Sequence, residues 1–269
     1  MAQSASQRSE FFNTPEGFQH VPQWPEKWID LPLAVIDVET TGLEPTEDRI
    51  IEIGIIRFED KEVVESYGQL IDPERPVPEE VVELTGIEES DLEGQPTFEE
   101  VADEVHERLQ GVGIVAYNLS FDQGFVEAEL NRVGMEWPDE APTLDPLIFA
   151  RQFFKDLRRK NLGTIADKLG IPLEEAHRAT HDAEVAGHVL YAFEDRLPAR
   201  LEDLLVLQGQ WEAAQAREMA SWRGDSGADT LSGAFGEQAI GLGPAFVYGD
   251  EPDPLRALYS SVPEAVDEN

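Results

Sequence analysis

A chain of 269 residues is long enough for one large domain with extensions, or for two small ones. It contains no cysteine, which excludes disulfide staples, thiolate catalysis and cysteine-held zinc, so any metal must sit on oxygen or imidazole. The formal net charge of −36 runs against the basic footprint expected of a surface that grips phosphates.

That acidity belongs to the body of the chain, since residues 31–197 hold 39 of the 56 acidic residues and 14 of the 20 basic ones. Lysine is scarce, a pattern compatible with a salt-rich cytoplasm in which self-repulsion is screened; biased genome composition explains it equally well. Met1 to Asn13 is polar without an apolar core, and no stretch approaches the ~20 apolar residues of a membrane span. A cytoplasmic protein without membrane contact is the expectation.

Residues 1–30 carry Pro15, Pro22 and Pro25 among aromatic residues without period, and read as an extension packed on the body. The short, β-branched run Leu33-Ala34-Val35-Ile36 predicts a central strand buried on both faces. Ile50 to Phe58 and Val63 to Ile71 predict two further strands, joined by the charged turn Glu59-Asp60-Lys61 into an antiparallel hairpin. Phe98, Val101, Ala102, Val105 and Leu109 fall on one helical face that Gly111 ends, and Gly113 to Tyr117 predicts another buried strand.

Phe121, Phe125 and Ala128 mark a second helix; Leu162, Ile165, Ala166 and Leu169 mark a third, closed by Gly170 and Pro172. A fourth is expected from about Thr180 to Asp195, with Thr180 as its N-cap and small residues, among them Ala183, Ala186 and Gly187, along the face toward a sheet. After Pro198 one helix to about Arg223 is expected, followed by a Gly-rich stretch and an acidic end. The division is therefore an N-terminal extension over 1–30, a body over 31–197 and a C-terminal extension over 198–269.

Asp37 and Glu39 stand two apart on a strand, so both carboxylates emerge on the same face, where burial would be costly without a cation. Asp-x-Glu alone is common. Asn118-Leu119-Ser120-Phe121-Asp122 follows a buried strand and opens a helix, a place where an aspartate can equally be a cap. His177 lies five residues before Asp182, in the loop ahead of the fourth helix.

In this order and spacing the segments Asp37-Val38-Glu39-Thr40-Thr41-Gly42, Asn118 to Asp122, and His177 with Asp182 resemble the three motifs of the DEDDh 3′-5′ exonuclease family. Leu84-Thr85-Gly86-Ile87 and Gln95 to Val101 are similar to the segment linking the first two motifs in the proofreading (epsilon) subunit of bacterial DNA polymerase III and its relatives. The resemblance covers about 31–197. It implies an α/β fold with a ribonuclease H-like mixed sheet, three antiparallel strands first and parallel strands after, flanked by helices.

The same resemblance implies that Asp37, Glu39, Asp122 and Asp182 hold two magnesium or manganese ions, with His177 as general base. It further places Thr40, Thr41, Leu84, Thr85, Ile87, Asn118 and Phe121 around the 3′-terminal nucleotide. Hard oxygen ligands and the imidazole pKa of about 6.5 suit that chemistry independently. The expected reaction is hydrolysis releasing nucleoside monophosphates from single-stranded 3′ ends, on DNA in proofreading or repair, with a DNA polymerase subunit as the partner reached through the C-terminal extension.

An RNA-trimming or oligoribonuclease-type enzyme of the same family stays open, because the motifs do not distinguish the sugars. So does a non-catalytic interaction module with this fold. Arg151, Lys155, Arg158, Arg159 and Lys160 form the only dense basic cluster; a phosphate track and a solvated loop balancing an acidic body are both open readings of it.

Overall fold

The computed structural model describes residues 24–173 and 178–225. A five-stranded sheet is built from β1 (Leu33–Thr40), β2 (Ile50–Glu59), β3 (Glu62–Leu70), β4 (Gly113–Val115) and β5 (Thr143–Leu144), in the order β3-β2-β1-β4-β5. β1 pairs antiparallel with β2, and β2 with β3, whereas β4 runs parallel to β1 and β5 parallel to β4. This is the mixed sheet expected from the sequence. The hairpin joining β2 and β3 turns on Asp60 and Lys61, whose φ angles of 51° and 69° give the two left-handed positions that a tight hairpin of the right twist requires.

Period-two alternation divides β1 between two cores. Leu33 and Val35 face one cluster, and Ala34, Ile36 and Val38 face the other. The second cluster is closed by α3 (Phe98–Arg108) and α4 (Leu119–Arg132), the first by α5 (Pro146–Phe153), α6 (Leu162–Leu169), α7 (Ala179–Ala192) and α8 (Leu201–Asp225). α1 (Glu79–Thr85) and α2 (Glu89–Leu92) lie between β3 and α3 in the chain and pack a third, small cluster around Val81, Ile87 and Leu92.

Local chemistry explains most boundaries. Thr97 and Glu100 form a capping box at the start of α3. Gly170, at φ 72°, ends α6 where the sequence places the stop. β5 and α5 are absent from the expectation; α5 begins at an Asp-Pro signal directly after β5, where Asp145 accepts the Leu147 N–H at 2.8 Å, with Pro146 in the first helical position. α7 can lie close on the sheet because Gly54 and Gly68, opposite each other on β2 and β3, present no side chain to it.

The chain flanking the sheet is tied to the same core. Trp28 is buried and stacks on Tyr191, with ring centroids 6.0 Å apart. Leu201 and Leu204 of α8 join the cluster of Leu33 and Val35. Further along α8, the Gln208 side chain serves as a substitute strand at the edge of β5: its Oε1 accepts the Asp145 N–H at 2.9 Å and its Nε2 donates to the Thr143 carbonyl at 3.0 Å. Two turns on, Gln215 donates to the Ile148 carbonyl at 2.9 Å. Among the described residues no helix is long and apolar enough to cross a membrane.

Candidate active site

Asp37 and Glu39 continue the face of β1 that begins with Leu33 and Val35, so they point toward α7. Both lie in the second half of β1, one residue short of its end at Thr40 in the case of Glu39. Asp182, in the first turn of α7, reaches the same point, and one carboxylate oxygen from each of Asp37, Glu39 and Asp182 lies within 4.8 Å of the others.

Asp122 arrives from the opposite helical layer. β4 stops pairing with β1 at Val35, which leaves the Val38 N–H without a strand partner, and the Asp122 carboxylate accepts it at 3.0 Å. The buried aspartate of α4 is thereby bonded to the peptide joining Asp37 to the residue before Glu39. It stands beside the three-carboxylate cluster rather than within it.

Glu52, a residue without a role in the sequence reading, is a fifth acid at this site. It lies opposite Glu39 in the β1–β2 register, is buried, and accepts the Ala179 N–H at 3.4 Å. That contact explains why Thr180 is not the N-cap of α7. The helix starts one residue earlier, its first N–H is served by a neighbouring strand, and Thr180 instead lays its methyl against Gly68. A cap supplied from another strand leaves no local signature.

Burial pushes the Asp37 carboxyl well above the usual carboxylate range, and Asp122, Asp182, Glu39 and Glu52 push it further. Glu39 is raised by burial, then by Asp182, Glu52 and Asp122, with Arg178 pulling the other way. Asp122 is likewise raised by burial, against the Val38 N–H, which favours its anion. So many like charges in a largely buried site are costly unless a cation neutralises them, and the donors are all oxygens. The residues fit a hard divalent ion.

A pocket opens over the cluster, lined by Asp37, Glu39 and Asp122 together with Thr40, Leu84, Thr85, Asn118 and Phe121 from the expected nucleotide site. Tyr117 and Leu162 add a wall that the motifs did not indicate. Thr41 and Ile87 do not line it. The Thr41 hydroxyl donates to Asp48 at 3.2 Å and accepts the Arg49 N–H, fastening the loop after β1, while Ile87 is buried beneath α1. His177 lies outside the described residues.

Asp145 supports the pocket from behind. Its two carboxylate oxygens accept the N–H groups of Asn118 and Leu119 at 3.1 and 3.2 Å, so the cap of α5 also orients the start of α4. Asn118 itself has φ 84°, a left-handed turn that lets the chain leave β4 and enter α4 within three residues. Burial raises Asp145 to about 6 despite these donors.

Carboxylates gathered from two strands and two helices form an all-oxygen cluster suited to a divalent cation, on a mixed sheet of the ribonuclease H-like kind. The exonuclease (RNase T) family model matches residues 34–190, more than half of the chain, and the chain belongs to that family.

PolC-type DNA polymerase III of Clostridium perfringens is 36% identical over 165 residues, which cover 61% of this chain and 11% of that protein. The 3′-5′ exonuclease DinG of Bacillus subtilis is 36% identical over 164 residues, covering 61% of this chain and 18% of its own length. The chain thus spans less than a fifth of these relatives. In fold it is similar to E. coli exonuclease I in complex with a dT13 oligonucleotide, with a TM-score of 0.55 and 19% identity over 62% of this chain and 41% of that one. Exonuclease X in complex with 5′ overhanging duplex DNA gives 0.52 and 22%, over 65% and 99%.

Proposed function

We propose that the chain is a divalent-metal-dependent 3′-5′ exonuclease that releases nucleoside monophosphates from the 3′ end of a DNA strand in the cytoplasm. The observation that carries the reading is the meeting of Asp37, Glu39 and Asp182 within 4.8 Å at the pocket, beside a buried Asp122. These four carboxylates would hold two magnesium or manganese ions. When bound, such ions supply the Lewis acidity that activates the attacking water and steadies the leaving 3′ oxygen.

The protein's own part is to place the ester and to move a proton. Phe121 and Leu84 offer apolar surface to the terminal nucleoside, while Thr40, Thr85 and Asn118 supply polar atoms around it. Asp122 keeps β1 and α4 in register through Val38, so that Asp37 and Glu39 hold their orientation. His177 accepts the proton of the attacking water, a role that rests on its motif and on the ordinary imidazole pKa of about 6.5. The PolC-type and DinG relatives favour DNA over RNA and a role in replication or repair, with a polymerase as partner.

Digestion of 5′-labelled single strands, DNA and RNA in parallel, tests this reading. Magnesium or manganese should give ladders shortened from the 3′ end, preferentially on DNA, and a chelator should abolish them. Calcium should support binding without turnover. Asp122→Asn keeps an acceptor for Val38, and it should slow hydrolysis, as should His177→Ala, by roughly 100-fold or more. Variants as active as the wild type would refute the assignment.

A further inference from the structure

We infer that the loop between α5 and α6 is a phosphate-binding rim, which takes the sugar–phosphate backbone of the strand a few nucleotides behind the 3′ end. The inference rests on the exonuclease reading and adds a second contact region to it. Five of the 14 basic residues in the body fall within residues 151–160, against a single acid, Asp156. Everywhere else the body is strongly acidic.

This loop reaches the active-site pocket. Tyr117 and Leu162 both line the pocket, the Tyr117 hydroxyl donates to the Lys160 carbonyl, and Leu162 follows Lys160 by two residues. No more than ~17 Å of extended chain separates Lys155 from Lys160, so the basic side chains stay within a few nucleotides of the cluster.

The cations are also uncommitted where they are exposed. Arg49, Arg57, Lys61, Arg75, Arg108, Arg132 and Arg200 pair with carboxylates, whereas among the described residues the exposed Lys155 and Arg158 form no ion pair, a state they share with the isolated Lys27 and Lys168 but hold three residues apart on one loop. In a protein with almost three acids for each base, two unpaired cations on a loop whose end meets the pocket wall are not accounted for by charge balance alone.

The loop is held in shape while these side chains remain outside. Leu157 packs on the main core, its N–H donates to the Phe154 carbonyl at 3.1 Å, and Asn161 caps α6 by accepting the Thr164 N–H at 3.0 Å. A rim that is already ordered loses little entropy on meeting a flexible strand. It would also supply the positive charge that the exterior otherwise lacks.

The test uses the full chain and the double variant Lys155→Gln/Arg158→Gln, neither residue belonging to the catalytic cluster. Two substrates are compared in magnesium: a thymidylate dodecamer, and the p-nitrophenyl ester of thymidine 5′-monophosphate, which has no upstream phosphates. Binding of the labelled dodecamer is measured against salt in calcium.

Loss of two phosphate contacts should make the slope of log affinity against log salt shallower by about 1.4, or about 25-fold in Kd per decade of salt. KM for the dodecamer should rise with it, while ester hydrolysis stays at the wild-type rate. Equal salt slopes for variant and wild type would overturn the rim, as would an equal loss on both substrates. If the wild type hydrolyses neither substrate in magnesium or manganese, the exonuclease reading fails instead, and the salt slopes still decide whether the loop binds a strand.

Discussion

Substituting Gly54 by alanine should separate the chemistry of this protein from its fold. A Cβ at Gly54 would stand 2.3 Å from the Ala179 carbonyl carbon and 2.4 Å from the Thr180 nitrogen, both main-chain atoms of α7. Carbon atoms in ordinary contact are about 3.5–4.0 Å apart, so α7 must retreat by more than ~1 Å. Asp182 travels with α7, whereas Asp37, opposite Gly54 on β1, does not. Catalytic groups tolerate about 0.5 Å of displacement, and a 1 Å error can cost roughly 100-fold in rate.

Overpacking against main chain lies at the upper end of the usual range, about 3 kcal/mol. For a domain of this size that is a fall in Tm of about 6–12 °C. Gly187→Ala provides the contrast, because its Cβ would meet the Phe58 ring at 2.5 Å, on α7 but more than a helical turn beyond Asp182. Both variants should melt early, and Gly54→Ala should lose far more of its single-turnover rate on a labelled strand. Wild-type melting and rate in Gly54→Ala would refute the reasoning, as would equal rate losses in the two variants.

Three further outcomes follow from the charges and the β5 edge. Because burial and mutual repulsion raise Asp37, Glu39 and Asp122, the folded metal-free protein binds protons that the unfolded chain has released. Stability is therefore lost as pH rises from about 4 through the raised values, and a bound cation should restore it. Manganese should lift Tm more at pH 8 than at pH 5, and an equal lift at both would count against the cluster as the binding site. Asp145, raised to about 6, adds a loss of the same sign between about pH 4 and 6, on the order of 3 kcal/mol, which Asp145→Asn should flatten. Gln208→Ala strands the Thr143 carbonyl and the Asp145 N–H, for about 2–4 kcal/mol, and a melting point equal to wild type would refute the role given to that side chain.

The parts of this molecule legible in its sequence are those whose cause is local. The alternation from Leu33 onward, the stop at Gly170 and the helical face from Phe98 each follow from a few adjacent residues. The Asp37–Glu39 pair is of the same kind, since a strand puts residues two apart on one face. β5 is two residues long, too short for periodicity to mark, and α5 opens on the unbroken apolar run Leu147-Ile148-Phe149-Ala150, which carries no helical period, although Asp145-Pro146 carries a start signal.

Contacts across the fold left no such trace. The Asp122 bond to Val38 exists because β4 ends early, and Glu52 becomes part of the site because β2 places it opposite Glu39. Thr41 and Ile87 sit in segments that match the family, yet the chain turns one into a loop fastening and the other into core. Motif position fixed the neighbourhood of these residues, and packing decided which way each faces.

The amide of Gln208 has a bearing on company as well as on stability. By occupying the outer margin of β5 it denies that side of the sheet to any extended segment from another chain, while at the far margin β3 is deterred from such pairing by the charges of Glu62 and Glu65. A domain sealed at one border and electrostatically guarded at the other can sit inside a much longer polypeptide without its strands annealing to whatever lies alongside.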